Sequence, residues 1–290
     1  MSISRGTRHA TSLVAVEQNQ SGFAALAGPL LIAHRGASAE HVENTLPAFE
    51  AALGLGADVI ESDVHVTRDG HPLLAHDDDG SRVAGDPRKI AQCTLAEIDG
   101  WDLSRTLPGS EPCSIPTLDA ALAHLPHALY NLDFKSHDVQ TVPRVLEVIA
   151  RHRAESRVLL TSFSARITDQ FRSAGYKGPV GLGQAEAVWA VFAPSLVLRA
   201  RASVFRRDGT RLQIPTRSSG IPLARRGLIR KLHALSLPID YWVINDAAEA
   251  EQLLELGAQG IVTDDVRTMA KLFARSPHTA AWRARHPRLI

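Results

Sequence analysis

Cysteine is scarce in this sequence of 290 residues, which contains only Cys93 and Cys113. Two cysteines can form at most one disulfide bond, and they supply neither a disulfide framework nor the paired thiolates of a structural zinc site. The scarcity excludes the class of small secreted domains that depend on disulfides. We therefore expect free thiols and a reducing compartment.

An excess of charge of either sign is also absent. Thirty-two Lys and Arg residues oppose thirty-one Asp and Glu residues, so the formal net charge is +1. A chain this close to neutrality creates no overall field that attracts nucleic acid. We expect no nucleic-acid partner, and any binding of phosphate must depend on a local cluster of side chains.

Long apolar runs are missing as well. The apolar stretch at residues 23–33 has eleven residues, whereas a membrane-spanning helix needs about 20. The preceding residues lack the basic-then-apolar order of a secretion signal, which favours a cytoplasmic location. We expect residues 1–28 to form a flexible tail, residues 29–274 a single domain and residues 275–290 a basic tail.

Eight short, nearly continuous apolar runs alternate with amphipathic segments along the chain. Continuous runs are typical of parallel strands that are covered on both faces. The alternation predicts an α/β fold and favours a (β/α)8 TIM barrel over an open doubly wound sheet, whose glycine-rich first turn is absent. The predicted strands comprise residues 30–34, 58–66, 128–134, 157–163, 179–183, 211–215, 240–245 and 260–263.

The second strand is predicted to continue into a hairpin. The turn Arg68-Asp69-Gly70-His71 lies between two apolar runs, and an Asp-Gly pair in that position is a strong hairpin signal. Residues 72–76 are therefore expected to form an appended strand. Residues 77–115 are rich in Asp, Gly, Pro and Ser, and we expect them to form a small inserted excursion near the active site.

Polar side chains concentrate at the predicted carboxyl ends of the first three barrel strands and of the hairpin. In a (β/α)8 barrel these ends carry the functional groups. We therefore expect seven residues to meet at one mouth of the barrel: His34, Arg35, Glu61, Asp63, His76, Asp133 and Lys135.

Three of these residues are carboxylates. Glu61 and Asp63 are two positions apart and point to the same side of a strand, and Asp133 enters from the neighbouring strand if the registers match. An all-oxygen set suits a hard cation such as Mg²⁺ or Ca²⁺. The alternative is a structural ion network with Arg35 and Lys135, but the spacing favours a metal.

His34 and His76 each end an apolar run. A single histidine at a strand end is more often structural, but two beside a carboxylate cluster favour catalysis. Imidazoles that titrate near neutrality can supply the base and the acid for one displacement, while the two cations neutralise phosphate oxygens. These groups are what cleavage of a phosphodiester requires.

Five short motifs follow one another between His34 and Asp77. They are His34-Arg35-Gly36-Ala37, Glu43-Asn44-Thr45, Glu61-Ser62-Asp63-Val64, Thr67-Arg68-Asp69-Gly70 and His76-Asp77. Together with less specific pieces as far as Leu272, they resemble the glycerophosphodiester phosphodiesterase family. The resemblance implies a (β/α)8 barrel of the phospholipase C-like phosphodiesterase type.

The resemblance also implies a role for each residue of the cluster. One divalent cation, Mg²⁺ or Ca²⁺, would be held at Glu61, Asp63 and Asp133, and His34 and His76 would form the acid–base pair. The family usually has Glu where this chain has Asp133, so we expect looser metal binding here.

The same likeness predicts the contacts of the substrate. Arg35 and Lys135 would contact the phosphate, and Glu43 would lie beside the metal or the glycerol hydroxyls. Trp242 is expected either to line the glycerol pocket or to pack within the barrel. Asn44 and Thr45 are predicted to cap the first helix.

The predicted activity is metal-dependent hydrolysis of small-molecule glycerophosphodiesters to glycerol 3-phosphate and an alcohol. A lysophospholipase D is a second possibility, and it would need an apolar groove, for which residues 185–198 are the candidate. A catalytically silent barrel that binds phosphorylated headgroups is a third. The sequence leaves open the alcohol, the metal, the attacking oxygen and the oligomeric state.

Basic residues are concentrated late in the chain. Residues 199–231 hold ten Lys and Arg and one acid, and residues 266–290 hold six and none. Such segments are typical of solvated faces or tails. The alternative is transient contact with an anionic membrane surface, which the apolar residues 188–192 support.

Overall fold

The computed structural model describes residues 22, 23, 26, 28–136, 138–200 and 209–280. Most of the two predicted tails and residues 201–208 of the basic segment lie outside the described residues. Within these ranges the chain folds as strands that alternate with helices, as the hydrophobic pattern predicts.

Twelve strands form within the described residues. They are β1 (Leu30–His34), β2 (Val59–Val66), β3 (Pro72–Leu74), β4 (Asp79–Gly80), β5 (Asp86–Lys89), β6 (Tyr130–Phe134), β7 (Val158–Thr161), β8 (Leu212–Ile214), β9 (Arg217–Ser218), β10 (Ile221–Pro222), β11 (Ile239–Tyr241) and β12 (Gly260–Thr263).

The α-helices of the described residues connect these strands. They are α1 (Leu46–Gly54), α2 (Leu95–Ile98), α3 (Leu118–His124), α4 (Val142–Arg151), α5 (Ala165–Ser173), α6 (Gln184–Phe192), α7 (Ser195–Ala200), α8 (Arg226–His233), α9 (Ala247–Leu256) and α10 (Val266–Arg275). None of the helices in the described ranges is long and apolar enough to cross a membrane.

The main sheet has the strand order β7-β6-β2-β1-β12-β11-β8, and β3 pairs with β2 in antiparallel orientation. The other pairs in this sheet are parallel. His34 lies opposite Glu61, and Asp63 lies opposite Asp133. The parallel order places the carboxyl ends of these strands, with their polar residues, at one edge.

Residues 179–182 connect the two outer strands of this sheet. The N–H of Gly181 donates to the carbonyl of Leu160 in β7 at 2.9 Å, and the N–H of Leu182 donates to the carbonyl of Arg211 beside β8 at 3.3 Å. The prediction of a regular strand at residues 179–183 is wrong, because only an isolated bridge between Leu160 and Val180 forms. Pro and Gly in this segment weaken regular strand pairing.

A close approach explains one of these glycines. A Cβ added at Gly181 would lie 2.6 Å from Cγ2 of Thr161. A larger residue would therefore push this segment away from β7, so the glycine allows the contact but lowers the strand propensity.

The core contains the strands and the inner faces of the helices. All eight residues of β2 are buried, including its charged ones, which is the burial expected of a central parallel strand. The helix α9 has typical residues at both of its ends. Asp246 caps α9 by accepting from the N–H of Glu249 at 2.7 Å, and Gly257 ends that helix with a φ of 103°.

Residues 77–115 pack against β3 through a separate apolar cluster. Its members include Val83, Ile90, Ile98 and Trp101. The short helix α2 forms here with Thr94 as its N-cap, and β4 and β5 form an antiparallel pair that the sequence did not predict. Cys93 and Cys113 are both free thiols, as expected.

Candidate active site

A cavity of about 670 Å³ opens at the carboxyl ends of the parallel strands. It brings together eight of the nine residues that the sequence nominated: His34, Arg35, Glu61, Asp63, His76, Asp133, Lys135 and Trp242. Glu43 is not among the lining residues and reaches the cavity only through its contact with Arg35. We call the first seven lining residues, without Trp242, the charged rim.

Two of the three carboxylates of the charged rim contact one ammonium group. The Nζ atom of Lys135 lies 3.0 Å from Oδ1 of Asp63 and 2.7 Å from Oδ2 of Asp133. Burial, together with the negative charges of Asp63 and Asp133, raises the pKa of Glu61 well above its ordinary value. Burial also raises the pKa of Asp133, although Lys135 opposes the rise. The cluster therefore has more negative charge than its cations neutralise at close range.

Two polar atoms of this cluster have no hydrogen bond. Oδ2 of Asp63 and Nε of Arg35 are both buried and lie 3.6 Å apart, beyond hydrogen-bond distance. Within the described ranges, no three His, Cys, Asp or Glu side chains already stand in a metal-binding arrangement. Lys135 lies between two of the acids instead. The crowded carboxylates, and the Asp63 oxygen that accepts no hydrogen bond, nevertheless fit the chemistry of a hard cation.

His34 is held from behind by a carboxylate. Its Nδ1 lies 2.7 Å from Oδ1 of Asp264, and its Nε2 lies 4.0 Å from Oε2 of Glu61. Burial alone would raise the pKa of Asp264, but hydrogen bonds from His34 and Asn245 outweigh it and lower that pKa to about 2. An ionised Asp264 makes Nδ1 of His34 the donor, so Nε2 faces the cavity.

His76 has a similar arrangement. Its Nδ1 lies 2.8 Å from Oδ1 of Asp77, and Oδ2 of Asp77 accepts from Nε of Arg82 at 2.7 Å. Burial opposes ionisation of Asp77, but the hydrogen bonds from His76 and Arg82 lower its pKa below the ordinary value. Both candidate catalytic imidazoles therefore have one nitrogen held by an ionised carboxylate.

Glu43 links these groups. It accepts from Arg35 at 3.0 Å and from two nitrogens of Arg82 at 2.7 and 2.9 Å. Burial would raise the pKa of Glu43, but the two guanidinium groups lower it. The carboxylate thus fixes Arg35 at the cavity wall, and Arg82 connects it to the pair formed by His76 and Asp77.

The turn after β1 places Arg35. Arg35 has a φ of 58° and Gly36 a φ of 84°, and the N–H of Arg35 donates to Oε2 of Glu61 at 3.2 Å. A Cβ at Gly36 would lie 2.8 Å from Ala48 in α1, so only glycine fits. Thr45 caps α1 as predicted, whereas Asn44 accepts a hydrogen bond from Ser62 in β2 at 2.6 Å.

Large apolar side chains also line the cavity. Trp242 lines it and makes an edge-to-face contact with Phe163, with ring centroids 6.4 Å apart. We call the five large apolar residues that both line the cavity and are exposed the apolar rim: Phe163, Val188, Phe192, Ile221 and Val243. Residues 188 and 192 belong to α6, which lies in the predicted groove segment 185–198.

Sequence reasoning missed three residues that hold the charged rim. Asp77 was adjacent to His76, and Asp264 followed the last predicted strand, so both had a visible signal. Arg82 had none, because a basic residue in a polar loop has no distinguishing pattern. Its role depends on the path of residues 77–115, which places it against Glu43 and Asp77.

Comparisons with known proteins are consistent with this geometry. The model of the family described as "Glycerophosphoryl diester phosphodiesterase family" matches residues 34–268. A Mycobacterium tuberculosis protein named "Probable glycerophosphodiester phosphodiesterase 2" is 31% identical over 246 residues, which are 82% of this chain and 88% of that protein. "Lysophospholipase D GDPD1" of Rattus norvegicus is 24% identical over 260 residues, which are 80% of this chain and 82% of that protein.

Solved structures show the same fold. A glycerophosphodiester phosphodiesterase from Agrobacterium tumefaciens superimposes with a TM-score of 0.69 at 23% identity, covering 84% of this chain and 98% of that one. An Oleispira antarctica phosphodiesterase in complex with the product sn-glycerol-3-phosphate has a TM-score of 0.68 at 22% identity, covering 84% and 96%.

Proposed function

Because the chain belongs to the glycerophosphoryl diester phosphodiesterase family, we propose that it hydrolyses glycerophosphodiesters to glycerol 3-phosphate and an alcohol, with His34 and His76 as the acid–base pair. The observation that carries this assignment is the paired environment of the two imidazoles. Each has Nδ1 held by a carboxylate, and each lines the cavity that contains two cationic side chains.

The two histidines exchange protons through the nitrogen that faces the cavity. One imidazole takes a proton from the attacking oxygen, and the other gives a proton to the oxygen of the leaving alcohol. Asp264 and Asp77 hold the rings in one orientation and stabilise the protonated forms. Each histidine can therefore act without first reorienting.

Arg35 and Lys135 bind the phosphate. Both line the cavity and carry donors that match phosphate oxygens. Arg35 is oriented by Glu43, and its Nε, which donates no hydrogen bond, lies 3.6 Å from Oδ2 of Asp63. Glu43 thus serves the substrate indirectly, by positioning the guanidinium group.

Glu61, Asp63 and Asp133 would hold one divalent cation, Mg²⁺ or Ca²⁺. The support is the buried excess of negative charge and Oδ2 of Asp63, a buried oxygen that accepts no hydrogen bond. When bound, the cation would withdraw negative charge from a phosphoryl oxygen. The shorter Asp133, in a position where the family usually has Glu, leads us to expect weaker metal binding than a glutamate would give.

We also propose that the sheet closes into a (β/α)8 barrel that comprises residues 29–274. The hydrogen bonds of residues 179–182 to β7 and to Arg211 support closure, since they join the two outer strands of the main sheet. Residues 77–115 would be the inserted part, with Arg82 as their contribution to the site.

Lysophospholipase D activity is a second candidate. The apolar rim is the observation that favours it, because a glycerophosphodiester without an acyl chain has no large apolar group that these side chains could contact. The relative from Rattus norvegicus bears that name. The silent binding barrel receives no support, since every predicted catalytic group is present.

Phosphorus NMR of the products tests the proposal. Glycerophosphocholine and palmitoyl lysophosphatidylcholine are incubated with chelator-treated enzyme, to which Mg²⁺ or Ca²⁺ is then returned. We expect glycerol 3-phosphate from the first substrate, lysophosphatidic acid from the second, and no turnover before metal is added. Release of phosphocholine, or full activity in excess chelator, would contradict the assignment.

A further inference from the structure

The exposed apolar side chains of this molecule are concentrated at the cavity. Eight large hydrophobic residues are exposed in the described part of the chain, and the five of the apolar rim also line the cavity. Phe163 is 58% exposed and Phe192 is 57% exposed. Single exposed apolar residues are ordinary, but several around one opening indicate a binding surface.

Trp189 extends this surface along α6. It is 45% exposed, does not line the cavity, and lies three residues before Phe192 on the same helix. Residues at this spacing share a helix face. Tryptophan is the side chain most typical of the boundary between water and lipid.

The part of the sequence that carries α6 and the hairpin of β9 and β10 is basic. Between Glu186 and Asp240 the sequence contains ten Lys and Arg residues and a single acid, Asp208. Arg217, on the hairpin that carries Ile221, is exposed, and so is Arg225 three residues after that hairpin. Glu186 does not offset them, because it is paired with Arg172 at 3.1 Å.

We propose that the apolar rim, with Trp189, Arg217 and Arg225, docks the protein onto the surface of an anionic lipid aggregate, so that the cavity opens directly onto the lipid. Apolar side chains supply the buried area, and the guanidinium groups supply attraction to anionic headgroups. A second copy of this chain fits less well, since a twofold contact through this surface would bring the same arginines together. This docking extends the proposed lysophospholipase D activity, and its functional purpose rests on that activity.

Binding of the full chain to sucrose-loaded vesicles tests the docking without requiring catalysis. We expect stronger sedimentation with vesicles of equal phosphatidylglycerol and phosphatidylcholine than with phosphatidylcholine alone. Trp189→Glu should weaken binding to the mixed vesicles about tenfold or more. Ala150→Glu is the matched control, because it adds the same charge at an exposed position near the end of α4, and it should bind like the wild type.

The charge is tested separately. Arg217→Gln with Arg225→Gln should remove most of the preference for phosphatidylglycerol, whereas Arg144→Gln with Lys271→Gln removes two exposed charges from α4 and α10 and should not. Brominated lipid should quench the tryptophan fluorescence of Trp189→Phe less than that of the wild type. Thermal unfolding and turnover of soluble glycerophosphocholine show that the Trp189 variants are folded.

The outcomes separate the docking from the function. No vesicle binding by the wild type, or equal binding by Trp189→Glu, overturns the docking even if both soluble and lipid substrates are hydrolysed. Dimers that dissociate in Trp189→Glu without vesicle binding also overturn it. Vesicle binding without any turnover would leave the docking standing and contradict the proposed function.

Discussion

The two sides of the cavity mouth reverse the usual distribution of polar and apolar side chains. On the charged rim, Glu61 is 8% exposed and Asp63 is 2% exposed, whereas on the apolar rim Phe163 and Phe192 are more than half exposed. Charged groups are ordinarily outside and phenylalanines inside. Because both departures cost stability, their meeting at one opening indicates that the two sides serve function.

The two sides also differ in how they are held. The charged rim is fixed by pairs such as His34 with Asp264 and Lys135 with Asp133, and such fixed groups suit chemistry at a single phosphorus atom. The side chains of the apolar rim carry no hydrogen-bonding groups, which suits a substrate part of variable shape. We infer that the charged rim performs the reaction and that the apolar rim selects the substrate.

Removal of either imidazole should have the largest effect. We expect His34→Ala and His76→Ala each to lower kcat by about 10²- to 10⁴-fold, the usual contribution of a general acid or base. Steady-state kinetics with glycerophosphocholine measure it. His124→Ala, at an exposed histidine paired with Glu50, is the control and should retain full activity. Near-normal rates in either catalytic variant would assign the chemistry elsewhere.

Replacement of a positioning residue should have a smaller effect. Asp264→Asn keeps the shape but removes the charge that fixes the proton on Nδ1 of His34, so we expect kcat to fall about 10- to 100-fold. The pH profile of kcat distinguishes positioning from simple loss of structure, since removal of the Asp264 charge should change the profile relative to the wild type. An unchanged profile with a lower rate would mean that Asp264 only stabilises the fold.

The carboxylate cluster should affect stability in opposite directions with and without metal. In excess chelator, Glu61→Gln should raise the Tm by about 2–4 °C for each kcal/mol of relieved repulsion. With Mg²⁺ or Ca²⁺ the variant should gain less stability than the wild type, because one anionic ligand is gone. Glu147→Gln, at an exposed site on α4, should change neither value. Equal metal-induced shifts in both proteins would remove Glu61 from the metal site.

The smallest expected effect is on acid stability. Because the pKa of Asp264 is about 2 in the folded chain, against an ordinary 3.8, its stabilisation is complete above the ordinary value and is lost as the pH falls toward 2. Urea unfolding measures the free energy of unfolding of both proteins. The wild type should therefore be more stable than Asp264→Asn at pH 6, and this difference should be smaller at pH 3. A gap of constant size would show that the charge of Asp264 does not stabilise the fold. The side chain is about one-third exposed, so the change should be modest.

Some parts of this structure could be read from the sequence, and others required the fold. β1 and β12 form where predicted, because continuous apolar runs specify buried parallel strands. The prediction of a strand at residues 179–183 was wrong, because the hydrogen bonds of this segment depend on β7 and Arg211 more than on its own residues. Hydrophobic periodicity does not report such tertiary pairing.

The candidate site also has parts that the sequence predicts and parts that require the fold. Strand-end positions predicted seven of the residues that line the cavity, and the family resemblance suggested an eighth, Trp242. The bond between His34 and Asp264 joins residues 230 positions apart, and only the neighbouring positions of β1 and β12 create it. The pairing of Lys135 with the acids was the alternative that the sequence left open beside a metal, and the structure shows it with Asp63 and Asp133.

A two-by-two kinetic comparison tests the division of labour between the rims most directly. His76→Ala and Phe192→Ser are each assayed with glycerophosphocholine and with palmitoyl lysophosphatidylcholine. The account predicts that His76→Ala lowers kcat for both substrates by a similar factor. It predicts that Phe192→Ser lowers kcat/KM for the lysolipid about tenfold more than for the soluble diester. If Phe192→Ser affects both substrates equally, or if His76→Ala spares one of them, the two rims do not divide chemistry from selection.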